Sequence, residues 1–366
     1  MKTKRPPFRA DQVGSLLRPS YLIEARQKRA QGQLDAAGLR EVEDRAIREL
    51  AGKEEAVGLQ GITDGEFRRA FWHLDFLERL DGVLTRENPG PKFGGTEEQP
   101  PIATVIGKVG CSKPIMVDDF TFLKSVTSRT AKVEIPSPSM LHLRVGRAAI
   151  SKEVYPELDE FWADVSLAYK TAIGHFASAG CQYLQLDDVA FAYLCDEKIQ
   201  ATLRAGGEDP AQLPKTYADT INRALAGRSK DIAITMHTCR GNFKSSWVAT
   251  GGYEAVAEAM FSADVDGFFM EFDSERAGSF EPLRLLPKGK TVVLGLVTSK
   301  SPELESKDAL KRRIDEAARF VPLENLCLSP QCGFSSTHHG NQLTEDEQWR
   351  KLTLVREVAE EVWGQL

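Results

Sequence analysis

Eight short apolar runs, separated mostly by long amphipathic stretches, recur along the chain and restrict its fold more than any other feature. They lie at 12–14 (QVG), 59–64 (LQGITD), 131–136 (AKVEIP), 182–187 (QYLQLD), 231–237 (DIAITMH), 266–272 (DGFFMEF), 291–297 (TVVLGLV) and 325–329 (NLCLS). Runs of this length read as strands, and the valine- and isoleucine-rich ones suit a buried parallel sheet. The stretches 38–58, 158–180, 216–227, 251–263, 307–321 and 344–364 read as the helices that cover it, the last two with apolar residues three and four apart and charges between. Eight strands with crossover helices predict an α/β fold, a (β/α)8 TIM barrel with an N-terminal extension. Residues 102–118 predict a β-hairpin inserted at about 100–120. Loop-like segments at 88–101 and 205–214 read as excursions, so 1–366 is expected to form a single domain.

Charge and cysteine usage narrow the class further. The net charge is −6 and the basic residues are dispersed, which argues against nucleic acid or an anionic membrane as partner. Apolar runs such as TVVLGLV are far too short to span a bilayer. The N-terminal MKTKRPPFRADQVGS has no apolar segment of signal-peptide type. Six cysteines (111, 181, 195, 239, 327, 332) in 366 residues do not form the dense pattern of a disulfide framework, so a cytoplasmic protein with reduced thiols is expected.

A barrel presents the C-terminal ends of its strands on one face, where its active sites sit. Several reactive residues fall at those ends: Ser15, Glu66, Asp187, His237, Cys239, Glu271, Lys300 and Cys332. In a strand, residues i and i+2 point the same way, so His237 and Cys239 can reach one ion. Glu271 and Cys332 would complete a His/Cys/Glu/Cys set of the kind zinc prefers. Taken singly, each residue has a plainer reading. A histidine at a strand end is usually hydrogen-bonded structure, and a cysteine is usually a small buried hydrophobe. Glu271, between Met270 and Phe272, is harder to explain without a partner, because a buried carboxylate is costly alone. Two sulfur ligands suit thiol chemistry better than hydrolysis.

The segments VGSLLRP (13–19), GITDGEFRR (61–69), LQLDDVAFAYL (184–194), MHTCRGN (236–242), FMEFDSERAG (269–278) and SPQCGF (329–334) occur in the order found in cobalamin-independent methionine synthases. The chain resembles the catalytic barrel of that family, and its single-barrel relatives in particular. The resemblance implies zinc bound by His237, Cys239, Glu271 and Cys332. It also implies Asp187 and Glu66 on the ammonium of homocysteine and Ser15 on its carboxylate. Without it, Asp187 reads as a helix cap, Glu66 as a loop charge and Ser15 as a turn residue.

One departure bears on the methyl donor. Where the family carries a proton-donating histidine after the seventh strand, this chain has GLVTSKSPELES, with Thr298 and Lys300 at those positions. A tertiary amine leaves poorly without protonation, and an ordinary lysine is a weak acid. The expectation is a zinc-dependent S-methyltransferase for homocysteine whose donor differs from methyltetrahydrofolate, such as a sulfonium or a corrinoid protein. A second reading changes the thiol to coenzyme M, though two carboxylates would repel its sulfonate. A third is a uroporphyrinogen decarboxylase-like lyase, and a fourth a zinc- or thiol-binding protein without turnover. His338 and His339 follow Cys332 and read as loop residues that could replace the missing acid.

Overall fold

The computed structural model describes residues 5–87, 101–242 and 247–364. The strands are β1 (Gly61–Ile62), β2 (Asp81–Arg86), β3 (Ile102–Gly110), β4 (Thr130–Pro136), β5 (Tyr183–Asp188), β6 (Ala233–Thr238), β7 (Gly267–Glu271), β8 (Thr291–Val297) and β9 (Leu326–Pro330). Seven of them form one parallel sheet in the order β1-β4-β5-β6-β7-β8-β9. Parallel neighbours need crossovers. Helices Leu158–Ser178, Leu213–Leu225 and Lys307–Ala317 supply those before β5, β6 and β9, and helix Glu345–Trp363 follows β9. That last helix starts where the sequence reading placed it, because Thr344 and Glu347 form a capping box that satisfies its first amides.

Alternation along the strands divides the sheet into two faces. Leu184, Leu186, Ile234, Met236, Phe268, Leu294 and Leu328 belong to the large core beneath the helices. The residues between them face the other way, around a small apolar cluster of Phe8, Val13, Tyr183, Phe269, Val293 and Cys327. That face is otherwise polar: Lys132, Glu134, Gln185, Thr235 and Ser329 are all buried on it. The Lys132 ammonium lies 3.4 Å from Asp11, donates to the Gln12 carbonyl, and sits 4.3 and 4.8 Å from the ring centres of Phe269 and Tyr183. Such a charge is tolerable without water only because it is paired and caged.

Three expectations are corrected. The strand expected at 12–14 is a single parallel bridge between Ala10 and Leu328. Asp11 there accepts the Phe8 and Gln12 amides with its own carboxylate, which diverts them from a ladder. The same segment reaches the opposite edge through Leu16 N–H to Gly65 C=O and Thr63 Oγ1 to Gly14 C=O. The sheet therefore has seven strands, and residues 9–16 touch both of its edges. The hairpin does not fold back within 102–118. β3 pairs antiparallel with β2, which precedes it, and Val117–Val126 is a helix. Gly82 (φ +74°) forms a bulge against Gly107 and Lys108, where a side chain would collide with backbone. The helix expected at 251–263 shrinks to a 3-10 turn and Ala257–Phe261. Most of the loop at 88–101 lies outside the described residues.

Candidate metal centre and substrate cleft

His237 belongs to β6 and Cys239 follows that strand's last residue; Glu271 closes β7, and Cys332 stands two residues past β9. The parallel strands β6, β7 and β9 of one sheet bring these ends together, and one ligand atom from each residue lies within 4.8 Å of all the others. The two sulfurs are 3.5 Å apart and not bonded to each other. Zn–S bonds of about 2.3 Å in a tetrahedron would put them about 3.8 Å apart. The donor set and its spacing therefore fit zinc with little movement.

Packing these groups together shifts their proton affinities. The Cys239 thiol, hydrogen-bonded to Cys332 and buried, is held well above its ordinary value. Cys332 is drawn down by that same hydrogen bond and, against burial, by His237. Burial alone would lower His237, but its contact with Asp187 and the negative charges of Cys332, Asp187 and Glu271 raise it to about 9. One thiol proton and an imidazolium thus belong to the metal-free cluster at neutral pH.

Cations surround the cluster. Glu271 accepts from the Arg240 amide (2.9 Å) and from Arg276 (2.8 Å), and Arg276 also holds Asp273. The Arg240 guanidinium is fully buried 4.3 Å from the Tyr253 ring centre. Lys300, the sequence candidate for a proton donor, has a buried ammonium without a hydrogen-bond partner, and its charge favours both thiolates. His338 packs edge-on and His339 at a tilt against Phe71, and neither joins the cluster.

The cleft beside the cluster is shared by Ser15, Glu66, Asp187, His237, Cys239 and Cys332. Gly65 and Glu66 both take left-handed backbone (φ +64° and +60°), which turns the Glu66 carboxylate inward; for a glutamate this conformation is strained. Oε1 accepts from Arg69 at 3.2 Å, while buried Oε2 has no partner. Burial raises Glu66 to about 8, with Arg69 opposing and Asp187 adding to the rise. Asp187 accepts from Gln185 Nε2 at 2.7 Å and lies 3.5 Å from His237 Nδ1. Two carboxylates, one with an orphaned oxygen, offer a place to a cation such as an ammonium. The Ser15 carbonyl accepts from Phe334 N–H, and a side chain at Gly333 would come within 2.0 Å of Ser15 Oγ. Only glycine permits the loop carrying Cys332 to pass so close.

The sequence reading missed other residues that line the cleft, among them Trp72, His73, Arg144 and Tyr193. The adjacent Phe71, Trp72 and His73 in FRRAFWH were the available signal, since such a run in a loop after a strand often carries function. Arg144 gave none, because one arginine in a loop looks like any solvated charge.

Residues 9–361 match a protein family described as the cobalamin-independent synthase, catalytic domain. The chain is 48% identical to the uncharacterized protein YxjH of Bacillus subtilis, over 99% of this chain and 96% of that protein. A crystal structure of a proposed vitamin-B12 independent methionine synthase from Listeria monocytogenes is 39% identical. It superposes with a TM-score of 0.81, covering 99% of this chain and 100% of that one. The fold is shared with a B12-independent methionine synthase from Shewanella sp. W3-18-1, solved with selenomethionine: TM-score 0.75, 20% identity, 97% and 98% of the two chains.

Proposed function

The chain belongs to the cobalamin-independent synthase catalytic-domain family and is a methyltransferase; on that premise we propose that it methylates the thiol of homocysteine to give methionine. The reading rests above all on the four ligand atoms gathered within 4.8 Å beside the Glu66–Asp187 pair. His237, Cys239, Glu271 and Cys332 would hold zinc, which when bound supplies a Lewis acid that keeps a substrate thiol deprotonated at neutral pH. Asp187 and Glu66 bind the ammonium, and the ammonium in turn brings Glu66 to its charged form. Ser15 holds the carboxylate. Fixed at both ends, the sulfur can only point toward the cluster and the open side of the cleft, so the geometry of attack is set before the donor arrives. The substrate sulfur then forms a bond to the methyl carbon, as the bond from that carbon to the donor breaks and its electron pair leaves with the donor.

The donor is one that departs without protonation, a sulfonium or a methyl-corrinoid in preference to a tertiary amine. The proton-donating histidine that the family resemblance implies is absent, with Thr298 and Lys300 at those positions, and a tertiary amine leaves poorly without protonation. In this reading residues 1–366 act as one catalytic domain, with residues 9–16 taking the eighth position of a closed (β/α)8 barrel. The two edge contacts of that segment support it.

The test is to load the protein with zinc, titrate homocysteine by calorimetry, and assay methionine formation from S-methylmethionine, methylcobalamin and 5-methyltetrahydrofolate. Homocysteine binding that disappears in Cys332→Ala, with turnover fastest on a donor that needs no acid, is expected. Coenzyme M binding in place of homocysteine would overturn the substrate assignment, and efficient folate turnover would overturn the donor class.

A further inference from the structure

Resting on the homocysteine reading, we propose that the part of the cleft wall built from Arg144 and His73 is an oxyanion subsite for the second substrate. The methyl donor accordingly carries a carboxylate or phosphate.

Arg144 follows the 3-10 turn after β4, and His73 precedes the short helix Leu74–Leu77 in the loop after β1. Both face the cleft that contains the candidate metal ligands. His73 is 3% exposed, and neither of its ring nitrogens has a hydrogen-bond partner. A buried imidazole with two unused nitrogens is rare, because each forfeits the hydrogen bond it had in water. Arg144 is half-buried, its Nε is buried without a partner, and no hydrogen bond or ion pair joins its guanidinium to any described residue. Other buried arginines have partners: Arg18 donates five hydrogen bonds, Arg69 and Arg276 each bind a carboxylate, and Arg240, whose guanidinium lacks hydrogen bonds to the described residues, lies 4.3 Å from the Tyr253 ring centre. A buried imidazole with neither nitrogen bonded, beside an unpaired guanidinium on the wall of an open cleft, is an arrangement that a ligand would resolve.

The chemistry of the pair selects an oxyanion. Burial and the nearby Arg144 charge hold His73 well below its ordinary range, so it is neutral and offers one N–H and one lone pair. Guanidinium matches carboxylate or phosphate through two parallel hydrogen bonds, and a neutral imidazole N–H adds a third donor without a second charge. Trp72, 4.7 Å from the His73 ring, supplies an apolar wall for the body of the ligand. Tyr193 feels the charges of both Arg144 and the sulfur cluster. The subsite thus opens into the same cleft as the candidate metal ligands. The amino-acid substrate does not need this site, since Ser15, Glu66 and Asp187 already account for its charged groups.

The test reads anion binding directly. Wild-type protein, Arg144→Gln and His73→Leu are titrated calorimetrically with sodium acetate and with inorganic phosphate, each with and without saturating homocysteine. One anion should bind the wild type with homocysteine present, and bind Arg144→Gln at least about tenfold more weakly. His73→Leu should weaken it less, and homocysteine affinity should stay within about twofold in both variants. Preference for acetate identifies a carboxylate donor, and preference for phosphate a phosphorylated one. Equal anion binding by wild type and Arg144→Gln, or no binding by the wild type, overturns the proposal. So does loss of homocysteine binding in Arg144→Gln, which would place the arginine on the amino acid. If homocysteine fails to bind the zinc-loaded wild type, the proposed function fails, and the titration without homocysteine still decides the subsite.

Discussion

His237 carries the sharpest consequence at the scale of single residues. In the metal-free cluster it holds a proton up to about pH 9, and Cys239 holds another well above that thiol's usual range. Zinc takes neutral imidazole and thiolate, so binding at pH 7 must expel about two protons. Apparent zinc affinity should therefore rise from pH 6 toward pH 9, and proton release should shrink as His237 deprotonates. Calorimetry in buffers of differing ionisation enthalpy measures this, and release near zero at pH 7 would contradict it. The cluster itself was legible in sequence because its members are chemically unusual for their places: a carboxylate inside FFMEF, and a histidine and a thiol two residues apart at a strand end. The residues that stabilise it were not. Arg276 and Arg240 are ordinary arginines in sequence, and only the fold reveals that they offset the charge of Glu271.

At the scale of elements, Arg18 joins three loops that meet nowhere in sequence. It donates to Ser335 and Thr337 after β9, and to the carbonyls of Glu66 and Arg69 after β1. Arg18→Ala would leave several buried acceptors unsatisfied and should cost on the order of 3 kcal/mol. Thermal unfolding should report this as a clear drop in Tm, with Arg18→Lys recovering little, since an ammonium cannot span five acceptors. The helices with strong apolar periodicity were readable from the sequence, as were the strands from β4 to β9. The helix Ser20–Ala30 was not: only Leu22 and Ala25 of its residues are buried, too few to print a stripe. The hairpin was misplaced because β2 is largely exposed, so its partner could not be recognised from hydropathy.

At the scale of the molecule, the face of the sheet opposite the helices is polar and still buried. AKVEIP alternates like a strand with one wet face, and the structure turns its Lys132 and Glu134 away from solvent. Sequence alternation gives a strand's two faces but not which of them meets water. Lys132→Met should leave Asp11 without its cation and cost about 3–5 kcal/mol; adding Asp11→Asn should recover part of that loss. Denaturation midpoints of the two variants check this, and a single substitution without effect would show that water reaches the interior. The convergence of strand ends, by contrast, follows from parallel topology alone, which is why residues as distant as Glu66 and Cys332 could be placed together in advance. The bridge between Ala10 and Leu328 has a further consequence for biosynthesis. The two residues are 328 − 10 = 318 positions apart, so at roughly 5–20 residues per second the N-terminal segment waits roughly 15–60 s on the ribosome for its partner. Cys332 emerges only after that. The nascent chain can neither seat residues 9–16 against β9 nor complete its metal site until residue 332 has been translated, and throughout that interval its polar interior depends on whatever shelters an unfinished sheet.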